Sequence, residues 1–106
     1  MGLASTILQD LGVSEEGAIH EYALLTASQK LAEFTQECSV FQKKYQMNFD
    51  DFERKLRSSQ TEVFAEDEDY FAWKFAQEGA TYWREKIELL KREQSMLFTG
   101  KIRIKT

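Results

Sequence analysis

The sequence predicts an all-α protein, an antiparallel hairpin of two long coiled-coil-like helices with a short connecting helix, completed into a bundle by oligomerisation. Three observations predict it. The chain has no proline in 106 residues, so the commonest helix breaker is missing. Apolar residues recur at alternating steps of three and four in two separate segments. Finally, 42% apolar and 30% charged residues describe a folded chain of single-domain length rather than a disordered one.

Taken in order, the N-terminal segment 1–13 carries Leu3, Ile7, Leu8 and Leu11 at helical spacing, a short or fraying helix. Ser14, followed by Glu15, Glu16 and Gly17, offers an N-cap with acids in the first turn. From there a long helix is expected over residues 15–46, with Leu24, Ala27, Leu31, Phe34, Cys38, Phe41 and Tyr45 as its a/d seam. Lys43 and Lys44 suit the dipole of its last turn. Asn48 caps a short helix over 49–58 with Phe49, Phe52 and Leu56 on one face. Ser58, Ser59, Gln60 and Thr61 interrupt the pattern, and Asp67 or Asp69 caps a second long helix over 68–95. Its seam is Trp73, Ala76, Ala80, Trp83, Ile87 and Leu90, with Gly79 off the seam and suggesting a close backbone approach or a bend. The basic tail 96–106 contains the alternating run Lys101 to Lys105, compatible with a strand that adds to a partner's sheet edge or with disorder.

Two such seams bury each other only in a hairpin. Folding the chain back about residue 57 sets Phe34 near Ala80, Leu31 near Trp83, and Ala27 near Ile87 and Leu90, large against small. Phe49, Phe52 and Leu56 are then expected to close the end near Phe71 and Phe75.

Little in the sequence points to catalysis. The sole histidine is His20, one turn after Glu16, which admits a metal pair; a solvent-facing ion pair is the simpler reading. Cys38, the one cysteine, occupies a seam position and reads as a buried, inert thiol. Glu66, Asp67, Glu68 and Asp69 lack the alternating ligands and glycine of a calcium loop. No cofactor or metal site is expected. The net charge is −4, with an acidic middle (Glu62, Glu66 to Asp69) and a basic end (Arg84, Lys86, Lys91, Arg92, Lys101, Arg103, Lys105). Basic residues in that tail come without a recognition motif, so nucleic acid is not the expected partner. No apolar stretch reaches the roughly 18 residues of a membrane span, and no basic start precedes an apolar run, so a cytoplasmic protein is expected.

The aromatic residues carry more information. Phe71, Phe75, Tyr82 and Leu89 form a second stripe on the later long helix that one partner helix cannot cover. With the acidic turn Glu66, Asp67, Glu68 and Asp69 it makes the expected protein-binding surface, and its Tyr82 and Leu89 side is the expected homodimer contact.

Residues 43–55, Lys-Lys-Tyr-Gln-Met-Asn-Phe-Asp-Asp-Phe-Glu-Arg-Lys, and 66–90, opening Glu-Asp-Glu-Asp-Tyr-Phe-Ala-Trp-Lys, carry a further signal. Over residues 14–92 the chain resembles small helical prokaryotic proteins that are often antitoxin-like and encoded beside a small toxin. That family has glycine where this chain has Gln46, a position suited to a left-handed helix stop. The resemblance implies a non-catalytic interaction module that neutralises a partner toxin, docking on a basic surface of it. Its rivals are a structural oligomerisation module and a metal-binding helical-bundle enzyme built on Glu16, His20 and the acidic residues.

Overall fold

The computed structural model describes residues 2–59 and 64–105, the side chains of 64 and 96–105 excepted. Among the described residues four helices follow one another: α1 (Leu3–Asp10), α2 (Glu15–Tyr45), α3 (Phe49–Ser58) and α4 (Phe64–Lys105). Among the described residues there is no strand. The fold is therefore all-α, with the two long helices α2 and α4 packed against each other and the short helix α3 between them in sequence.

Local chemistry sets the boundaries. α1 stops in a Schellman arrangement: the Gly12 N–H donates to the Gln9 carbonyl and the Val13 N–H to the Leu8 carbonyl, at 3.0 and 2.9 Å. Gly12 supplies the positive φ, 71°, that this stop requires. Ser14 caps α2 as expected, its Oγ accepting from the Gly17 N–H at 2.9 Å. Asn48 caps α3 through its Oδ1, which accepts from the Asp51 N–H at 2.9 Å. Between the two, Gln46 adopts φ 53°, the left-handed stop that the resemblance places at this position, here without glycine.

Helix α4 departs from expectation at both ends. It starts at Phe64, so neither Asp67 nor Asp69 is a cap; Glu66 and Asp67 lie inside the first turn, where acids favour the dipole. It also runs on past residue 95 to Lys105, and Lys101 to Lys105 is helix, not strand. A helix satisfies its backbone within itself, whereas five alternating residues need a neighbouring strand. Residues 60–63 of the expected connection, Glu62 included, lie outside the described residues.

Packing divides the chain into two compact units, one of Met1–Gln29 with Glu85–Thr106 and one of Lys30–Arg84. The second holds most of the core. Trp73 is 1% exposed and sits among Phe41, Tyr45, Phe49 and Phe52, with ring centroids 5.8, 6.2, 5.5 and 5.2 Å away. Phe52, Ala76 and Ala80 complete the buried set there. The antiparallel register follows from Tyr45 against Asp69, Phe41 against Trp73 and Cys38 against Gln77. Phe34 sits over Gly79, whose missing Cβ would stand 2.6 Å from its ring, one residue from the Ala80 partner the sequence suggests. Gly79 thus marks the close approach that its off-seam position foretells.

The expectation that α3 shields Phe71 and Phe75 is not met. Phe49 and Phe52 turn onto Tyr70 and Trp73 instead, leaving Phe71 and Phe75 67% and 64% exposed. A ten-residue helix with one apolar face covers a single side of α4, and Trp73 occupies it.

In the first unit the described buried side chains are Ala27 and Ile87. His20 is part-buried there, its Nε2 2.9 Å from the Leu90 carbonyl oxygen. The expected solvent-facing pair with Glu16 is replaced by this main-chain contact, because His20 continues the seam toward α4. Ser5 Oγ donates to Glu15 at 2.9 Å, tying α1 to the start of α2.

Candidate functional site

The acidic turn lies in the first turns of α4 and the aromatic stripe runs on from it along the helix, but their members differ in what they do. Asp69 points inward. Its Oδ2 accepts from Lys44 Nζ at 2.6 Å and from the Tyr45 hydroxyl, so it ties the start of α4 to the end of α2. The hydrogen bond from Lys44, then that from Tyr45, holds the Asp69 carboxyl below the usual carboxylate range. Burial, then the bond to Asp69, pushes the Tyr45 phenol well above its ordinary value. Glu66 and Asp67 are half-buried, and Glu68 is exposed.

At the next residue, the Tyr70 hydroxyl donates to Glu53 Oε2 at 2.6 Å, and Arg57 pairs with the same carboxylate at 3.6 Å. The bond to Glu53 raises the Tyr70 phenol. Phe71 stands edge-on to Tyr70, ring centroids 5.3 Å apart. Leu56, Tyr70 and Phe71 form the apolar floor of an open cleft of about 370 Å³, rimmed by Glu53, Arg57 and Asp67. Phe75 leans on Phe34 at 5.7 Å, and Tyr82 meets Trp83 edge to face at 5.1 Å while remaining 52% exposed.

Within the Lys30–Arg84 unit the structure therefore brings Asp67 to the same cleft as Phe71, with Glu66 and Glu68 on the same turn of α4, and exposes the stripe from Phe71 through Phe75 to Tyr82. Leu89 belongs to the other unit, where it is 54% exposed next to the Glu88–Arg92 ion pair. The tail residues Lys101, Ile102, Arg103, Ile104 and Lys105 have side chains outside those described.

A second groove, about 410 Å³, reaches Trp73 and is edged by Ser39, Gln42, Asn48, Gln77 and Arg84. Cys38 opens into it. The thiol is half-buried rather than enclosed, and its Sγ lies 3.5 Å from the Gln77 side-chain oxygen. Burial, then the neighbouring Glu37, raises its pKa against the lowering influence of Arg84, so the thiol stays protonated near neutral pH. Among the described residues no three His, Cys, Asp or Glu side chains converge as a metal cage.

Sequence reasoning missed Lys44 and Tyr45 as the anchors of Asp69, and Glu53 and Arg57 as walls of the cleft, whereas Leu56 lies near Phe71 as expected. Tyr45 offered a signal: a seam residue with a polar tip needs a buried-side acceptor. Glu53 and Arg57 offered only an i,i+4 pair, which most solvated helices also carry. In comparisons with known proteins, no family, curated sequence or solved structure matches this chain.

Proposed function

We propose that the protein is a non-catalytic interaction module that holds a partner protein on the Phe71, Phe75 and Tyr82 face of α4. One observation carries this reading. Three large aromatic residues are 67%, 64% and 52% exposed on one side of α4, whose opposite side buries Trp73, Ala76 and Ala80. Aromatic side chains of this kind are the usual anchors of protein interfaces, because a rigid ring contributes much contact area for little lost freedom.

Glu66, Asp67 and Glu68 at the head of the stripe give the partner a sign. A basic surface is drawn in by them and an acidic one is repelled. The resemblance to antitoxin-like proteins supplies the more specific form: the partner is a small toxin encoded by the adjacent gene, occluded by this face.

The experiment is to co-express the chain with the adjacent gene product and measure association and dissociation separately. Glu66→Lys with Glu68→Lys should slow association at low salt, and the effect should fade as salt approaches roughly 0.5 M. Phe71→Ala and Tyr82→Ala should instead raise the dissociation rate, roughly tenfold or more for an anchor. If no complex forms, the toxin reading fails. If a complex forms and neither set of substitutions alters it, this face is not the docking surface.

A further inference from the structure

The cleft between α3 and the start of α4 has a chemistry of its own. Its volume of about 370 Å³ is near the lower end of the roughly 300–1,000 Å³ of small-molecule sites, room for one long side chain rather than a whole ligand. Every wall belongs to the Lys30–Arg84 unit.

The rim sets two carboxylates against one guanidinium, with Glu53 and Arg57 from α3 and Asp67 from α4. Glu53 Oε2 receives both the Tyr70 hydroxyl, at 2.6 Å, and Arg57, at 3.6 Å, which leaves Oε1 as an open acceptor. Arg57 does not fill the cleft, its side chain being 75% exposed. Asp67 is half-buried, and among the described residues no hydrogen bond or ion pair reaches its carboxylate, in contrast to Asp69 with Lys44 and Tyr45. A carboxylate that has given up part of its water gains from a cation that replaces it.

Three properties select the occupant. The surplus of negative charge on the rim admits a cation and repels an acid. Aromatic faces attract cations as well. Phe49 stacks on Tyr70 with centroids 5.6 Å apart and Lys74 Nζ lies 6.0 Å from the same ring, so Phe71, 67% exposed, offers the freer face. Lastly, the acceptors come from two helices, which suits a ligand with several donors fixed in one plane. A guanidinium carries five in a rigid fork, stacks flat on a ring and gives up water more readily than an ammonium. Together these demands describe arginine rather than lysine.

We propose that this cleft is a receptor for one arginine side chain of a basic protein, the guanidinium lying on Phe71 and bonded to Asp67. For what carries the arginine it rests on the interaction reading above.

The probe is N-acetyl-arginine amide, titrated in excess into the isotope-labelled full chain and followed by backbone amide shifts, with N-acetyl-citrulline amide as its uncharged isostere. Saturable shifts at Leu56, Asp67, Tyr70 and Phe71 are expected with the arginine probe and not with citrulline. Their absence, or equal shifts with citrulline, overturns the proposal. Asp67→Asn should weaken binding at least roughly fivefold. Glu68→Gln, which removes the same charge from an exposed neighbour, should change it less than about twofold. Equal weakening by the two reduces the cleft to a general acidic field and also overturns it. Should Asp67→Asn disturb the fold, Phe71→Leu takes its place, keeping apolar bulk at an exposed position while removing the ring; it should weaken binding, and undiminished binding refutes the site. Asp67→Asn is then carried into the co-expression with the adjacent gene product. A complex that loosens with Tyr82→Ala but not with Asp67→Asn leaves the interaction reading standing and overturns the arginine site. Arginine seated in the cleft with no complex formed does the reverse: the toxin reading fails and the arginine site stands.

Discussion

Phe34 and Gly79 show how a single missing atom can set the spacing of two helices. A Cβ at residue 79 would stand 2.6 Å from Phe34 Cδ1 and Cε1 and 2.8 Å from Cγ, so the whole ring edge, not a flexible tip, would have to yield. Alanine favours a helix over glycine by about 1 kcal/mol, but overpacking costs about 1–3 kcal/mol. Gly79→Ala should therefore lower stability by about 1 kcal/mol in urea unfolding, and a gain in stability would show that Phe34 has room to move. This approach was legible, since a helical glycine off the seam asks for a reason; what it touches was displaced by one residue, because a heptad register places faces more accurately than atoms. Asp69 was not legible in the same way. Four adjacent acids look alike in sequence, and only the arrival of Lys44 and Tyr45 from α2 separates Asp69 from the other three. Its carboxyl is depressed in the folded state, so its contribution to stability is present above the unfolded value near pH 3.9 and disappears as pH falls through the folded value. Asp69→Asn should thus cost about 1 kcal/mol at neutral pH, the pair being partly screened by solvent, and the difference from the parent should shrink below about pH 4.

Among the elements, α3 and the two caps were readable because their signals are local: Asn48 and Ser14 accept from the N–H three residues on, as their types and positions imply. The end of α2 was readable only in part. Gln46 takes the left-handed conformation at φ 53°, which costs an L-residue roughly 1–2 kcal/mol and glycine almost nothing. Part of that gain is offset by the greater freedom of glycine in the unfolded chain. Gln46→Gly should raise stability by about 0.5–1 kcal/mol, seen as a higher melting temperature, and a decrease would mean that the glutamine side chain compensates for its backbone. The ends of α4 were the least readable. An acidic run reads equally as cap or first turn, and a basic alternating tail reads as strand until the absence of a neighbouring strand decides for helix. The exposure of Phe71 and Phe75 was hidden for a related reason: periodicity tells that α4 has two apolar faces but not which of them α3 will choose.

At the scale of the whole molecule, the hairpin was predictable from two seams of matching length, while the uneven distribution of burial between the units was not, because a heptad pattern says nothing about how thickly each stretch is covered. The cross-helix contacts nevertheless form a ladder ordered by sequence separation. Tyr45 and Asp69 are 24 residues apart, Cys38 and Gln77 39, and His20 and Leu90 70. Closing a loop of 70 residues directly costs about 1 kcal/mol more than closing one of 24, and among the described residues the aromatic contacts cluster at the near end. The chain should consequently nucleate beside α3, where Trp73 collects four aromatic neighbours, and zip toward its termini. Substitutions around Trp73 would then slow refolding, whereas those at Ala27 or Ile87 would leave the refolding rate nearly unchanged and quicken unfolding. In stopped-flow experiments on a Trp83→Phe background the indole of Trp73 would report the earliest collapse, before His20 has reached the Leu90 carbonyl.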